Sequence, residues 1–283
     1  MTRPSKARVR QSFERAAPTY DSAASVQRHI CHHLADCLPA MPPVTRLLDA
    51  GCGTGYAQAL LQARFPAAHA VALDLSAGML QRITAPCCRL AGDLEHLPLA
   101  DASIDLYWSS LAAQWCELAK TLAEARRVLK PGGQLALASL GPATFHELRT
   151  AFADVDDYRH TLAFHTPAEI AQIATDAGLV AVDVQKGIET SHYADFKTLL
   201  KAVKAIGANQ LGSGRRTSLM SRAAFSRAET ALETLRTPAG LPLTYDVTYR
   251  GEGGPWTVAQ VRAAGAATTV TYTDAHLERG VEL

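Results

Sequence analysis

Short apolar runs alternate with helical patterns between residues 44 and 140. The apolar runs fall near 44–49, 70–74, 88–91, 104–109 and 134–140. Helical patterns begin near Gly55, Ala77, Leu111 and Thr121. Apolar runs of this length that alternate with helices are typical of buried parallel strands. The pattern predicts an α/β fold with a doubly wound, mostly parallel sheet.

Helical patterns also flank this region. Ser22 is predicted to cap a helix over 23–38, which the prolines that follow would end. After residue 140, helices are predicted over 143–153 and 167–177. Strands are predicted over 179–186 and 243–250, with a long insertion over 193–236 between them.

The first predicted strand ends in a glycine-rich turn, D-A-G-C-G-T-G over 49–55. Glycines at 51, 53 and 55 remove the side chains that would keep a ligand from the backbone, and they permit positive φ. The following helix points unpaired N–H groups at the same place. A dinucleotide loop would read G-x-G-x-x-G, whereas this one reads G-x-G-x-G. The alternative is a turn that only joins a strand to a helix.

Acidic residues lie at the carboxyl ends of three predicted strands. Asp49 closes the first strand, Asp74 closes the second, and Asp93 follows the third. Open α/β sheets bind ligands at this edge, and a carboxylate at Asp74 can accept both hydroxyls of a ribose. A single such residue is usually a solvated loop residue, but the succession predicts one ligand-binding crevice.

The motif D-A-G-C-G-T-G resembles the first motif of the class I S-adenosylmethionine-dependent methyltransferases. Segments 97–106 and 127–135 are similar to later turns and strands of that family. The resemblance implies a seven-stranded Rossmann-like sheet and S-adenosylmethionine as cofactor, without a metal. It implies these cofactor-binding residues: Asp49, Gly51, Gly53, Gly55, Asp74, Leu75, Asp93, Leu94 and Ser109.

Two further segments point to the acceptor side of such a site. The segment 13–21 resembles the F-x-x-A-A-x-x-Y-D opening of small-molecule methyltransferases, which implies that Tyr20 belongs to an N-terminal helical lid. Gln114 can hydrogen-bond an acceptor oxygen, and Trp115 can form a flat apolar wall. For Tyr20 and Trp115, packing in the core is the alternative.

Four segments resemble the malonyl-acyl-carrier-protein O-methyltransferases of biotin synthesis: 92–99, 108–116, 206–209 and 242–245. That resemblance implies a malonyl thioester as acceptor, on acyl-carrier protein or coenzyme A. Its free carboxylate could pair with Lys204, Arg215 or Arg216, although these cations could also form a solvated face. A quinone precursor or another carboxylic acid would be an alternative acceptor, and a methyltransferase-like assembly factor is an alternative of another class.

These observations predict one methyltransferase domain over 1–250. Within it we expect N-terminal helices over 1–43, a cofactor-binding core over 44–140 and a helical lid over 193–236. Residues 251–283 form a tail of unknown role, in which Thr268–Thr273 alternates like an edge strand.

Composition and charge narrow the class of protein. The 283 residues are 48% hydrophobic and 19% charged, and the net charge of +1 predicts no nucleic-acid or membrane partner. The six cysteines lack a C-x-x-C pair, which indicates reduced thiols and a cytoplasmic protein. Oligomeric state has no signal in the sequence.

Overall fold

The computed structural model describes residues 3–38, 43–184, 187–207, 220–247 and 258–263. Its strands are β1 (Arg46–Ala50), β2 (His69–Asp74), β3 (Cys88–Ala91), β4 (Ile104–Ser110), β5 (Leu129–Ala138), β6 (Leu179–Val184), β7 (Gly187–Tyr193), β8 (Leu241–Val247) and β9 (Val258–Ala263). Its α-helices are α1 (Lys6–Ala16), α2 (Tyr20–Ala23), α3 (Ser25–Asp36), α4 (Tyr56–Arg64), α5 (Ala77–Leu80), α6 (Leu118–Val128), α7 (His146–Phe152), α8 (Pro167–Asp176), α9 (Phe196–Ala205) and α10 (Arg222–Glu233). A short 3-10 helix spans Ala113–Trp115.

A central sheet of seven strands runs in the order β3-β2-β1-β4-β5-β9-β6. The five strands from β3 to β5 are parallel, whereas β9 is antiparallel to both of its neighbours. The strand order reverses direction between β1 and β4, which is where open α/β sheets form their ligand crevice. The predicted doubly wound α/β fold is confirmed.

Helices cover both faces of the sheet because successive side chains of each strand point to opposite sides. On β4, Leu106 and Trp108 pack into one core cluster, together with Leu34 of α3. Tyr107, which lies between them, packs into the other cluster with Leu122 of α6. Burial on both faces explains why the strands read as continuous apolar runs rather than as alternating ones.

Two predicted helix starts are wrong. Ser22 caps no helix, since its hydroxyl donates to the carbonyl of Thr19 at 2.7 Å and α3 begins at Ser25 without a side-chain cap. The helix expected from Leu111 is absent there, because Leu111 has a φ of 57° and only the 3-10 turn follows before α6 begins at Leu118.

The carboxyl-terminal strands are divided between two sheets. The strand predicted over 243–250 is β8, which pairs with β7 in a separate two-stranded antiparallel sheet. Strand β9 belongs to the segment that was predicted to be a tail, and it lies between β5 and β6 in the central sheet. The edge strand expected at Thr268–Thr273 lies outside the described residues.

None of the helices in the described part of the chain combines the length and the hydropathy that a bilayer span requires.

Candidate functional site

The glycine-rich turn follows β1 at the carboxyl edge of the sheet. Gly51, Gly53 and Gly55 adopt positive φ of 78°, 54° and 82°. A Cβ on Gly51 would collide with Ala112, and a Cβ on Gly55 would lie 2.8 Å from Ile83 Cγ1. At Gly53 no heavy atom lies within 4 Å of the same position. Packing therefore explains the two outer glycines, and Gly53 leaves open space where a ligand can reach the backbone.

The turn is fastened to the end of β2. The N–H groups of Gly51 and Cys52 donate to the carbonyl of Leu73 at 2.7 and 3.0 Å. The Gly53 N–H donates to Oδ2 of Asp74 at 2.9 Å, and the Ser76 N–H donates to Oδ1 at 2.8 Å. A carboxylate offers about four lone-pair sites, so Asp74 keeps acceptor capacity for a ligand.

Asp49 lies at the same edge and is almost completely buried, with 2% of its surface exposed. Gln58 Nε2 on α4 donates to its carboxylate at 2.8 Å. Burial raises the pKa of Asp49 to about 7, the nearby charge of Asp74 adds to the rise, and the bond from Gln58 opposes it. Burial also raises the pKa of Asp74, although its bonds from Ser76 and Gly53 oppose the shift.

No described residue forms an ion pair with either Asp49 or Asp74. A buried and a half-buried carboxylate side by side without a cation are costly, because charges that are removed from water need a partner. A ligand that brings positive charge and hydroxyl donors would supply what the site lacks. S-adenosylmethionine fits this description, since it carries a sulfonium, an ammonium group and a ribose.

Asp93, beyond β3, already has a cationic partner in the structure. Lys6 Nζ on α1 contacts Asp93 Oδ1 at 2.8 Å, Glu95 Oε1 at 2.7 Å and Cys116 Sγ at 3.2 Å. Burial alone would lower the pKa of Lys6, but the neighbouring Cys116, Asp93 and Glu95 outweigh it and raise it. The three groups could hold a metal by their spacing, but the lysine ammonium lies among them. Leu94, the next residue, is buried.

Helices α1 and α2 cover the carboxyl edge of the sheet and contact the turn after β1 and helix α5 after β2. Glu14 Oε2 accepts the N–H of Gly78 at 2.9 Å. Asp21 Oδ1 accepts the hydroxyl of Thr54, within the glycine turn, at 2.6 Å. Together with Lys6, these contacts join the amino-terminal segment to the segments that follow β1, β2 and β3. We call α1 and α2 the amino-terminal cover.

Aromatic side chains form the inner side of the amino-terminal cover. Phe13 packs edge-on against Trp115, with ring centroids 5.6 Å apart, and lies 6.3 Å from the ring of Tyr20. Burial raises the pKa of Tyr20, and the charges of Asp74 and Asp21 raise it further. Tyr20 thus lies close enough to the two carboxylates for their charges to affect its pKa. Its ring also packs in the core, as the alternative interpretation expected.

Gln114 and Ser109, which lie near the carboxyl end of β4, differ in whether their side chains have a hydrogen-bond partner. The side-chain oxygen of Gln114 is buried and has no hydrogen-bond partner among the described residues. A buried polar atom of this kind costs free energy unless a ligand or water satisfies it. The hydroxyl of Ser109 donates to the Ala50 carbonyl at 2.7 Å, which joins β4 to β1. Leu75, beside Asp74, is partly buried.

The predicted carboxylate-binding cations are only partly covered by the structure. Lys204 is exposed in the last turn of α9. The residue Gly207 follows, and its Cβ position lies 3.0 Å from Cε1 of Phe13, so this end of α9 abuts the amino-terminal cover. Arg215 and Arg216 lie outside the described residues.

The sequence interpretation missed Lys6 and Glu14. Lys6, Phe13 and Glu14 follow the i, i+7, i+8 spacing that places residues on one helix face. That spacing, together with Tyr20 and Asp21 of the same segment, was the available signal for a helix that faces the site.

Residues 48–137 match the family model described as a methyltransferase domain. The chain is 75% identical over 248 residues to a malonyl-acyl-carrier-protein O-methyltransferase from Dechloromonas aromatica, which covers 88% of this chain and 94% of that protein. It is 38% identical to the biotin biosynthesis bifunctional protein BioHC from Cellvibrio japonicus, over 86% of this chain and 49% of that protein.

A solved structure of an S-adenosylmethionine-dependent methyltransferase from Thermotoga maritima is similar to the whole fold. Its TM-score is 0.53, with 90% of this chain and 99% of that chain covered at 18% identity. At this level of identity the likeness shows a shared fold.

Proposed function

The chain belongs to the family of the malonyl-acyl-carrier-protein O-methyltransferases, and on this premise we propose that it methylates the free carboxylate of a malonyl thioester with S-adenosylmethionine. The observation that carries the proposal is the 75% identity over 94% of a relative with that name. It favours a malonyl acceptor over a quinone precursor, and an enzyme over an assembly factor.

For the donor, we assign binding to the carboxyl edge of β1, β2 and β3. S-adenosylmethionine supplies an electrophilic sulfonium methyl group, which a carboxylate oxygen displaces in line. Asp74 would accept the ribose hydroxyls with its remaining lone pairs, and Gly53 would let the methionine portion approach the backbone. Asp49 would balance the cationic charge. Asp93 would take the adenine amino group beside Lys6.

The acceptor needs positioning rather than a general base. A malonyl carboxylate is ionised near neutral pH, because its pKa is that of a carboxylic acid. The chain's task is therefore to align a carboxylate oxygen with the methyl group and to exclude water. We assign alignment to Gln114, whose buried oxygen lacks a partner, and an apolar wall to Trp115, while Tyr20 would close the site from above.

Recognition of the free carboxylate requires a cation. We propose Lys204, Arg215 or Arg216 for this role, with the segment 193–236 as a lid over the acceptor. Lys204→Ala would then raise the KM for the acceptor and leave the KM for S-adenosylmethionine unchanged. If both KM values stay unchanged, Lys204 is not the carboxylate partner.

The thioester carrier is proposed to be acyl-carrier protein in the cytoplasm. The name of one relative includes the acyl-carrier protein, and the name of another includes biotin biosynthesis. The methyl ester would mask the charged end of malonate, so that chain elongation could treat it as an apolar primer for biotin synthesis.

The test is mass spectrometry of malonyl-carrier protein after incubation with the purified enzyme and S-adenosylmethionine. We expect a gain of one methyl group on the malonyl moiety. Acetyl-carrier protein is the matched control, since it has the same thioester and carrier but no free carboxylate. Methylation of both, or of neither while the donor still binds, would refute a malonyl acceptor.

A further inference from the structure

A cavity of about 410 Å³ lies beyond β5, away from the donor site. It opens between Pro142, which follows β5, and the segment 158–164. The donor-binding residues lie at β1, β2 and β3, on the other side of β4 in the strand order. Its volume is in the range of small-molecule sites in proteins.

The cavity has an apolar wall and a lining that includes two arginines. Phe152 and Leu162 are among its apolar lining residues. The ring of His160 stacks on Phe152 at 3.7 Å, and its Nε2 contacts Asp156 Oδ1 at 2.8 Å. The nearby acidic group is therefore already engaged by a histidine.

Two arginines line the same cavity, and they differ in their hydrogen bonds. Arg149 is anchored, since its guanidinium donates to the carbonyls of Thr144 at 2.6 Å and Pro142 at 2.8 Å. Arg159 is exposed, and it forms no hydrogen bond or ion pair with another described residue. An exposed guanidinium at the mouth of a partly apolar cavity is suited to a phosphate group, which it can bind through two parallel hydrogen bonds.

The cavity is also linked to the amino-terminal cover. Arg3, which precedes α1, donates to the carbonyl of Ala163 in the cavity wall at 2.9 Å. Three residues later, at the start of α1, Lys6 contacts Asp93 and Cys116 beside the donor site. A ligand bound in the cavity would thus lie against the segment that covers the methyl-transfer site.

We propose that this cavity receives the phosphopantetheine arm of the malonyl thioester, and that Arg159 binds its phosphate. The proposal rests on the proposed function, because that arm connects malonate to either carrier. The arm is slim and uncharged between phosphate and thioester, so its methyl and methylene groups can pack against the apolar walls. Its anionic group would meet Arg159, which has no ion-pair partner among the described residues. Carrier protein and coenzyme A share this chemistry.

The test compares Arg159→Ala with Arg46→Ala. Arg46 is exposed at the amino end of β1, at the opposite edge of the sheet, and serves as the matched control. The substrates are malonyl-carrier protein, malonyl-coenzyme A and malonyl-N-acetylcysteamine, which lacks the phosphate. For Arg159→Ala we expect a KM about tenfold higher for the first two substrates, which corresponds to one charge-assisted contact. The KM for S-adenosylmethionine and the kinetics with the truncated thioester should not change.

Two outcomes would overturn the proposal. One is an unchanged KM for both phosphate-bearing substrates. The other is a loss with carrier protein alone, which would assign Arg159 to the protein surface of the carrier instead of its arm. Ala153→Trp, a substitution in the exposed wall, gives a second check, because it should fill the cavity and weaken both phosphate-bearing substrates.

A binding measurement separates this proposal from the proposed function. Calorimetry with free 4′-phosphopantetheine requires no methyl transfer. If the unaltered enzyme fails to methylate any malonyl thioester but binds the free arm about tenfold more tightly than Arg159→Ala does, the function fails and the cavity assignment stands. If methylation occurs but the free arm binds both proteins equally, the cavity assignment fails alone.

Discussion

We expect the buried carboxylate of Asp49 to make stability and S-adenosylmethionine binding depend on pH in opposite directions. Its pKa is raised to about 7 in the folded protein, mainly by burial, whereas an unfolded aspartate titrates near 3.9. A raised carboxylate pKa means that the folded state binds the proton more tightly than the unfolded state does. Stability is therefore lost as pH rises toward the folded pKa.

The magnitude follows from the two pKa values. Between about pH 5 and about pH 8, the folded state gives up a proton that the unfolded state has already lost, which costs about 2.5 kcal/mol of unfolding free energy. Asp49→Asn removes the titration but keeps the shape and an oxygen that can accept the bond from Gln58. We expect the substituted protein to gain stability relative to the parent by that amount across the interval.

The assay is urea unfolding without ligand at several pH values between these limits. Asp105→Asn is the control. Asp105 accepts bonds from Thr45 and Lys130 at the other edge of the sheet. Burial would raise the pKa of Asp105, but these bonds outweigh it and lower it, so this group stays ionised across the interval. Its substitution should cost about 1–3 kcal/mol without a pH trend.

The second part of the test is the pH dependence of S-adenosylmethionine affinity, which should be opposite in direction to that of stability. S-adenosylmethionine is cationic, so it should bind the parent protein more tightly as Asp49 ionises near pH 7. Asp49→Asn should bind it weakly and with little pH dependence over the same range. A stability difference between the two proteins that does not change with pH would refute the reasoning, because it would show that Asp49 does not titrate in this interval.

Three further predictions concern the donor site and its cover. Asp74→Ala should weaken S-adenosylmethionine binding about a hundredfold in calorimetry, since two charge-assisted bonds of about 1.5 kcal/mol each are lost; unchanged affinity would contradict the site. Gly55→Ala should cost about 2–4 kcal/mol of stability by strain and collision, whereas Gly53→Ala should cost about 1 kcal/mol and mainly impair donor binding; equal stability losses would argue against this division. Thr54→Val should release the donor several-fold faster in stopped-flow experiments by removing the bond to Asp21, and an unchanged rate would show that this bond does not hold the cover.

The positions of the glycine-rich turn and of the acidic residues at the carboxyl edge could be predicted from the sequence, because these residues follow strand ends. An apolar run fixes where a buried strand stops, and the next side chain then lies at the carboxyl edge of the sheet. Gly51, Gly53 and Asp74 were placed in this way, and the structure brings Asp74 to the N–H of Gly53 at 2.9 Å.

Other parts could not be read because they depend on contacts between distant segments. Lys6 and Asp93 are 87 positions apart, and no local sequence pattern around either residue predicts that they are in contact. The capping role expected of Ser22 failed for a local reason instead, since the carbonyl of Thr19, three residues earlier, accepts its hydroxyl. The position of β9 between β5 and β6 is likewise a pairing choice that a short alternating segment does not encode.

The sequence by itself determined the α/β class, the core strands and the acidic edge, because hydrophobic periodicity and glycine spacing act over a few residues. Only the tertiary structure decided which charges are paired. Asp49 and Asp74 lack a cationic partner among the described residues, whereas Asp93 contacts Lys6. Burial and pairing depend on the packing of segments that are far apart in the chain, and these two quantities set the charge of the site.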